Sequence, residues 1–216
     1  MKTKKQMLEI IARLEREYPT ADCTLDFSQA WELLVGVRLA AQCTDERVNK
    51  VLPALFQRWP TAEAMAKASP EEVEPYIHSC GFYHGKARDI VAAARMLITD
   101  FGGVVPDTME QLLRLPGVGR KSANLILGDV YHKPGAVVVD THCIRLVNRI
   151  GIVKDTKEPE KIERALRPLL PPEKSSDFCH YMVWHGRAVC DARKPQCEQC
   201  CLRDLCDTGR ADKGKE

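Results

Sequence analysis

Residues 115–127 read LPGVGRKSANLIL. A proline and two glycines interrupt a run whose apolar positions otherwise repeat at helical spacing. Two helices joined by LPGVG make a helix-hairpin-helix. Gly117 and Gly119 permit positive φ and close backbone approach. The N–H groups of the turn and of the following helix then converge on one spot, a site for a phosphate. Many helix pairs use a short glycine turn as a plain connection, so the turn alone leaves both uses open. Arg120 and Lys121 follow at once, in a first turn where the helix dipole disfavours a cation. That misplacement asks for a purpose.

The segments around the hairpin also read as helix. Met7, Ile10, Ile11, Leu14 and Tyr18 keep helical spacing, and SQAWELLVGVRLAAQ predicts a long buried helix. Thr44 is a candidate N-cap for TDERVNKVLPALFQRW, which Pro53 should kink. Ser69, Pro70 and Gly81 bracket SPEEVEPYIHSCG, and Gly102 and Gly103 stop HGKARDIVAAARMLITDFGG. Asp107 and Glu110 sit at capping-box spacing before the hairpin. AVVVD, ending at Asp140, is the only β-branched apolar run; Asp140 then caps a helix that Gly151 ends. EPEKIERALRPLL and SDFCHYMVWHGRAVC add two helices, and DTGRADKGKE reads as a frayed polar tail. The chain is predicted to be all-α.

Charged residues make up 29% and hydrophobic ones 44% of 216 residues, the balance of a soluble globular protein. The net charge of +2 is too small to establish a nucleic-acid partner, so any such case rests on where the basic residues fall. No apolar run reaches membrane-spanning length, and Glu9, Arg13, Glu15 and Arg16 break up any signal-peptide core. An intracellular setting follows. There ten cysteines argue for metal rather than for a disulfide framework. Cys190, Cys197, Cys200 and Cys206 have the spacing C-x6-C-x2-C-x5-C, with Cys201 as a spare thiol. One close pair with two outlying thiolates suits a cuboidal iron–sulfur cluster better than the two close pairs usual for zinc. Arg193 and Lys194 lie inside the first ligand loop, either as solvated charges or as phosphate contacts.

Phosphate contact is the commoner role for a lysine such as Lys121. Attack as an amine is the alternative, and it needs the ordinary pKa of about 10.4 to fall by roughly 3, or about 4 kcal/mol. A helix N-terminus, Arg120 and partial burial would all push that way. Asp140 shifts the balance toward attack. A carboxylate at a helix start stays ionised, and it can stabilise developing positive charge as well as cap.

LPGVGRKSAN, VDTHCIRLVNRIG and the four-cysteine tail, in this order, resemble the endonuclease III family of helix-hairpin-helix DNA glycosylases. AAQCTDERVNKV and GFYHGKARDI fit it too, so the resemblance covers nearly the whole chain. It implies a six-helix domain over residues 24–135, a discontinuous cluster domain from 1–23 and 136–216, and a cleft between them. It implies a 4Fe–4S cluster on Cys190, Cys197, Cys200 and Cys206. It places the catalytic lysine on Lys121 and the catalytic aspartate on Asp140. The hairpin and the ligand loop add expected DNA contacts at Gly117, Gly119, Arg120, Arg193 and Lys194. Gln42 would fill the gap left by a flipped base, with His142 nearby and an apolar wedge at Phe82. The implied activity is base-excision removal of oxidised pyrimidines, with strand cleavage by β-elimination through a lysine Schiff base. The implied partner is duplex DNA carrying damaged pyrimidines or abasic sites, met by a monomer in the cytoplasm with no membrane attachment. An adenine mismatch glycosylase of the same superfamily would lack Lys121 and carry a further C-terminal domain. A non-catalytic DNA-binding module would need neither Lys121 nor Asp140.

Overall fold

Six helix starts in this chain are specified by single side chains. In the computed structural model, which describes residues 2–212, Thr3, Thr44, Thr61, Ser69, Thr108 and Asp140 each accept the backbone N–H three residues on. Each bond satisfies a donor that a bare helix end would leave over. Thr3 with Gln6 and Ser69 with Glu72 close reciprocal capping boxes.

The chain folds as two compact units. Helix α1 (Lys4–Glu17) opens the discontinuous unit, Met1–Asp22 with His132–Glu216. The contiguous unit, Cys23–Tyr131, follows with α2 (Ala30–Leu39), α3 (Asp45–Arg58), α4 (Ala62–Ala66), α5 (Pro70–Ile77), α6 (Tyr83–Phe101), α7 (Met109–Leu112) and α8 (Arg120–Asp129). The chain then returns to the first unit through α9 (Thr141–Ile150), α10 (Pro159–Leu166), α11 (Ser175–Ala188) and α12 (Asp207–Asp212). Among the described residues there is no strand, and no helix is long and apolar enough to cross a membrane.

In the contiguous unit, α2 is apolar nearly all round, with Trp31, Leu33, Leu34, Val35, Val37 and Leu39 buried, as a central helix must be. It packs on α3, α6 and α8, while α4 and α5 cover α6. Pro53 does not end α3, which runs on to Arg58. Among the described residues the unit holds seven α-helices, two of them only five and four residues long. The short α7 is capped by Thr108, not by Asp107, because Thr108 places Gln111 at the third helical position, where the two residues bond.

In the discontinuous unit, α1 lays Met7, Ile10, Ile11 and Leu14 inward and packs on α11, which also packs on α9. Residues 136–139 are all buried but form no strand. They have no second strand to pair with, and the Val138 N–H donates instead to Cys179 Sγ at 3.2 Å. The polar tail is not frayed through 212. Residues 207–212 form α12, tied to the chain start by Lys2 Nζ and Asp207 Oδ1 at 2.7 Å. Residues 213–216 lie outside the described residues.

Candidate active site

The hairpin begins on buried Leu115 and Val118. Gly117 sits at φ +75°, and a Cβ built there would lie 2.5 Å from Cδ and Nε of Arg38 and 2.9 Å from the Asp89 carboxylate. Arg38 Nε and Asp89 Oδ2 pair at 2.7 Å, so the hairpin backbone rests directly on an ion pair. Gly119 departs from the positive φ anticipated for it. It is extended at φ −99°, ψ 177°, and caps α8 with no side chain. A Cβ there would meet nothing within 4 Å. Nothing in the chain itself requires glycine at 119. The turn it opens holds no acidic residue, and its charges are Arg120 and Lys121, both exposed. The partial burial anticipated for Lys121 is therefore absent from the chain alone.

Asp140 caps α9, its Oδ1 accepting the Cys143 N–H at 2.7 Å. That bond fixes the half-buried carboxylate in one orientation. His142 lies in the first turn of the same helix, with Nδ1 3.1 Å from Arg145 Nη2. Arg145 also donates to the carbonyls of Gly186 at 3.0 Å and Cys190 at 3.1 Å. A Cβ at Gly186 would lie 2.5 Å from His142 Nδ1, so α11 passes α9 here only because it carries a glycine. Asp140 and His142 belong to the discontinuous unit and Lys121 to the contiguous one.

Gln42 and Phe82 lie far apart in sequence, but they line one open cleft within the contiguous unit, together with Arg38, Tyr83, Lys86 and Arg88. Both hold left-handed backbone, φ 55° and 50°, at a cost of about 1–2 kcal/mol each. The Phe82 ring is 70% exposed. Beneath them Lys86 is buried, and its ammonium donates to the carbonyls of Leu39 at 2.8 Å and Cys80 at 2.9 Å. One cation thus ties the end of α2 to the turn before α6, and its burial pushes its pKa down.

Cys190, Cys197, Cys200 and Cys206 line one cavity with Arg149, Pro195 and Arg203. Cys201 is not among its walls; its carbonyl accepts from Arg13 at 3.0 Å. Burial pushes the Cys200 thiol up to about 12 and raises Cys206 as well. Four thiolates held together are stabilised by positive charge between them, and iron is a soft enough partner. Among the described residues no three potential ligands close on a point suited to a single ion. The four cysteines that line this one cavity are an all-sulfur donor set, which suits an iron–sulfur group. Arg149 braces the loop, donating to the carbonyls of Asp191 at 2.7 Å and Ala192 at 2.8 Å and to Cys190 Sγ at 3.3 Å. Arg193 and Lys194 are exposed, while their backbone N–H groups both bond Asp191 Oδ1, at 2.8 and 3.0 Å. Those bonds, from Lys194 foremost, hold the Asp191 carboxyl below its usual range. Glu198 is exposed on the turn between Cys197 and Cys200.

Two further residues of this centre carry no sequence signal. His185 is 2% exposed, with Nδ1 2.9 Å from Tyr18 Oη and Nε2 3.3 Å from Cys200 Sγ. Burial lowers its pKa to about 4, so the ring is neutral and carries one proton. Were Cys200 a metal-bound thiolate, which only accepts, that proton would sit on Nε2 and Tyr18 would donate to Nδ1. In sequence His185 is indistinguishable from an ordinary core histidine of an apolar helix.

Residues 35–172 match the family of HhH-GPD superfamily base excision DNA repair proteins, and residues 190–206 match the iron–sulfur binding domain of endonuclease III. Endonuclease III of Synechocystis sp. is 48% identical over 212 residues, covering 98% of this chain and 96% of that protein. Two solved structures superpose with TM-score 0.92 at 37% identity, covering 99% of this chain and all of theirs. One is a non-covalent endonuclease III–DNA complex, the other a trapped covalent endonuclease III–DNA intermediate.

Proposed function

Because this chain belongs to the endonuclease III family of helix-hairpin-helix DNA glycosylases, we propose that it removes oxidised pyrimidines from duplex DNA and opens the abasic strand through a Schiff base on Lys121. It is a base-excision repair enzyme, a bifunctional glycosylase and AP lyase with an iron–sulfur centre. The observation that carries the residue assignment is an exposed lysine in the first turn of α8, directly behind a glycine hairpin with no side-chain cap.

The hairpin N–H groups from Gly117 to Arg120 take a phosphate of the strand. A damaged pyrimidine is poorly stacked, so turning it out costs less than the few kcal/mol of a sound base. Gln42 fills the space it leaves and Phe82 wedges the neighbouring step, with His142 near the opened nucleotide. The duplex supplies the burial that Lys121 lacks in the free chain. The lysine amine attacks the anomeric carbon, the glycosidic bond breaks, and the base departs. The Asp140 carboxylate, oriented by the Cys143 N–H, steadies the positive charge that develops on the sugar. The sugar ring then opens as the C1′–O4′ bond breaks and the ring oxygen takes a proton, leaving an iminium that acidifies the adjacent sugar C–H. Loss of that proton expels the 3′ phosphate, and water releases Lys121. Cys190, Cys197, Cys200 and Cys206 hold a 4Fe–4S cluster, which when bound ties their loop into one shape. Arg193 and Lys194 then meet phosphates from a fixed frame. The enzyme acts as a monomer in the cytoplasm, with no attachment to membrane.

Borohydride reduces a Schiff base to a stable amine. Protein mixed with oxidised-pyrimidine duplex and borohydride should give a covalent adduct, and Lys121→Gln should abolish adduct and nicking while keeping fold and cluster. A Lys121→Gln protein that still nicks at saturating DNA would return Lys121 to phosphate contact.

A further inference from the structure

The turns that carry Gln42 and Phe82 meet at one side chain. Gln42 lies just past Leu39, the last residue of α2, in a turn where the Cys43 N–H bonds the Ala40 carbonyl at 3.1 Å. Phe82 lies just past Cys80, across Gly81 at φ +68°. Lys86, near the start of α6, reaches both segments. Its backbone N–H donates to the Phe82 carbonyl at 3.1 Å. Its ammonium donates to the Leu39 carbonyl at 2.8 Å and the Cys80 carbonyl at 2.9 Å. The residue is 1% exposed.

Stability alone is a poor reason for a charge in this place. Both acceptors are backbone carbonyls rather than carboxylates. Burying an ammonium is costly even beside a carboxylate, and an apolar side chain of similar volume often serves stability as well or better. What an apolar side chain cannot do is hold two carbonyl oxygens to one point. Two carbonyls that converge repel each other, and a cation between them reverses the sign. The Leu39 carbonyl also stands at the negative end of α2, where a cation is favoured. The ammonium therefore sets the distance between the end of α2 and the turn before α6. Both turns hold left-handed non-glycine residues, a conformation that persists only where the surroundings over-determine it.

We propose that Lys86 is a positioning residue for lesion recognition: its ammonium, clamped on the Leu39 and Cys80 carbonyls, fixes the spacing at which Gln42 and Phe82 straddle the gap left by a displaced base. The proposal rests on the reading of Gln42 and Phe82 as DNA contacts. Lys86 is too deeply buried to take a phosphate itself, so it acts only through the two turns. Intact duplex is gripped by its backbone and makes no demand on the probes. A duplex with a gap does. Loss of the clamp is therefore felt as lost discrimination, not as a general loss of affinity.

The test reads binding rather than chemistry. Fluorescence anisotropy compares the affinity of holoprotein for duplex carrying a tetrahydrofuran abasic analogue with its affinity for intact duplex of the same sequence. Lys86→Met keeps similar length and volume but removes every donor. It should lower the preference for the abasic duplex by about tenfold, the effect of one well-placed hydrogen bond, and leave affinity for intact duplex unchanged. Thermal melting and cluster absorbance establish that the variant is folded. Lys86→Gln serves if Lys86→Met does not fold, since its amide can satisfy one carbonyl but is too short to hold both; the same loss is expected. A folded variant with wild-type preference would overturn the proposal, and failure of both variants to fold would overturn it in favour of a purely structural lysine. A mutant cycle separates positioning from general weakening. Gln42→Gly with Phe82→Gly suits the left-handed backbone and removes both probes. Adding Lys86→Met should then cost no further preference, because nothing is left to position; a fully additive loss would show that Lys86 acts elsewhere. Failure of the DNA-contact reading shows separately, as wild-type preference that survives the double glycine change, and the proposal falls with it.

Discussion

Gly117 and Gly119 stand two residues apart in the same turn, yet their replacement by alanine should fail in opposite ways. At Gly117 the φ of +75° costs a residue with a Cβ about 1–2 kcal/mol. The new methyl would lie 2.5 Å from the Arg38 side chain, so Arg38 must turn away from Asp89. That pair is 20% and 32% exposed, and its loss adds up to about 1 kcal/mol. Gly117→Ala should therefore lose about 1–3 kcal/mol, which for a chain of this size lowers Tm by roughly 2–12 °C. At Gly119 the backbone is ordinary and the space is open. A small gain from restricting the unfolded chain opposes the poorer N-cap, leaving a net within about 0.5 kcal/mol. The cost falls on binding instead. A methyl between a phosphate and the turn N–H groups removes a charge-assisted hydrogen bond of about 1.5–3 kcal/mol, roughly ten- to a hundredfold in duplex affinity. Thermal unfolding followed by circular dichroism, beside fluorescence anisotropy on labelled duplex, separates the two. If Gly119→Ala melts as early as Gly117→Ala, or binds duplex as wild type does, the phosphate reading of the hairpin is wrong.

Changing Arg193 and Lys194 together to alanine should lower the slope of log affinity against log salt by about 2, one for each phosphate, equally on damaged and intact duplex; an unchanged slope would leave both as solvated charges. Cys201→Ser should stay brown with its iron content unchanged, since Cys201 lies outside the cavity walls, whereas Cys197→Ser should lose colour and iron. Arg149→Leu, which removes the donors to the Asp191 and Ala192 carbonyls, should speed iron loss to a chelator, and a rate equal to wild type would show that the loop is braced elsewhere.

Sequence alone revealed the features whose cause is local. A capping side chain acts over three residues, so Thr44, Ser69 and Asp140 could be read as helix starts without any knowledge of packing. Ambiguity arose where two such residues were adjacent. Asp107 and Thr108 both qualify, and only the Gln111 contact selects Thr108. AVVVD has strand composition, but a strand needs a neighbour, and none exists among the described residues. The exposure of Lys121 was misjudged because burial belongs to tertiary structure, not to helix position. The same limit hid the pairing of the Gln42 turn with the Phe82 turn. Nothing in either segment points to the other, and Lys86, which binds the end of the first to the second, looks in sequence like any surface lysine. His185 escaped notice for the same reason, since its importance comes from Tyr18 and Cys200, one near each end of the chain.

The discontinuous unit has a consequence for synthesis. Its first helix leaves the ribosome long before the partners it needs. Glu15, Arg13 and Tyr18 on and beside α1 await Lys174, Asp204 and His185, which lie more than 150 residues downstream. At translation rates of about 5–20 residues per second that wait lasts roughly 8–30 s. Throughout it the apolar face of Met7, Ile10, Ile11 and Leu14 has no α11 to cover it, while the contiguous unit has all of its own sequence and can fold as it emerges. On the proposed ligand set, iron enters only after Cys206 is made. The centre is thus assembled last, onto a chain half of which is already folded, and the nascent α1 is the segment that a chaperone would have most reason to hold.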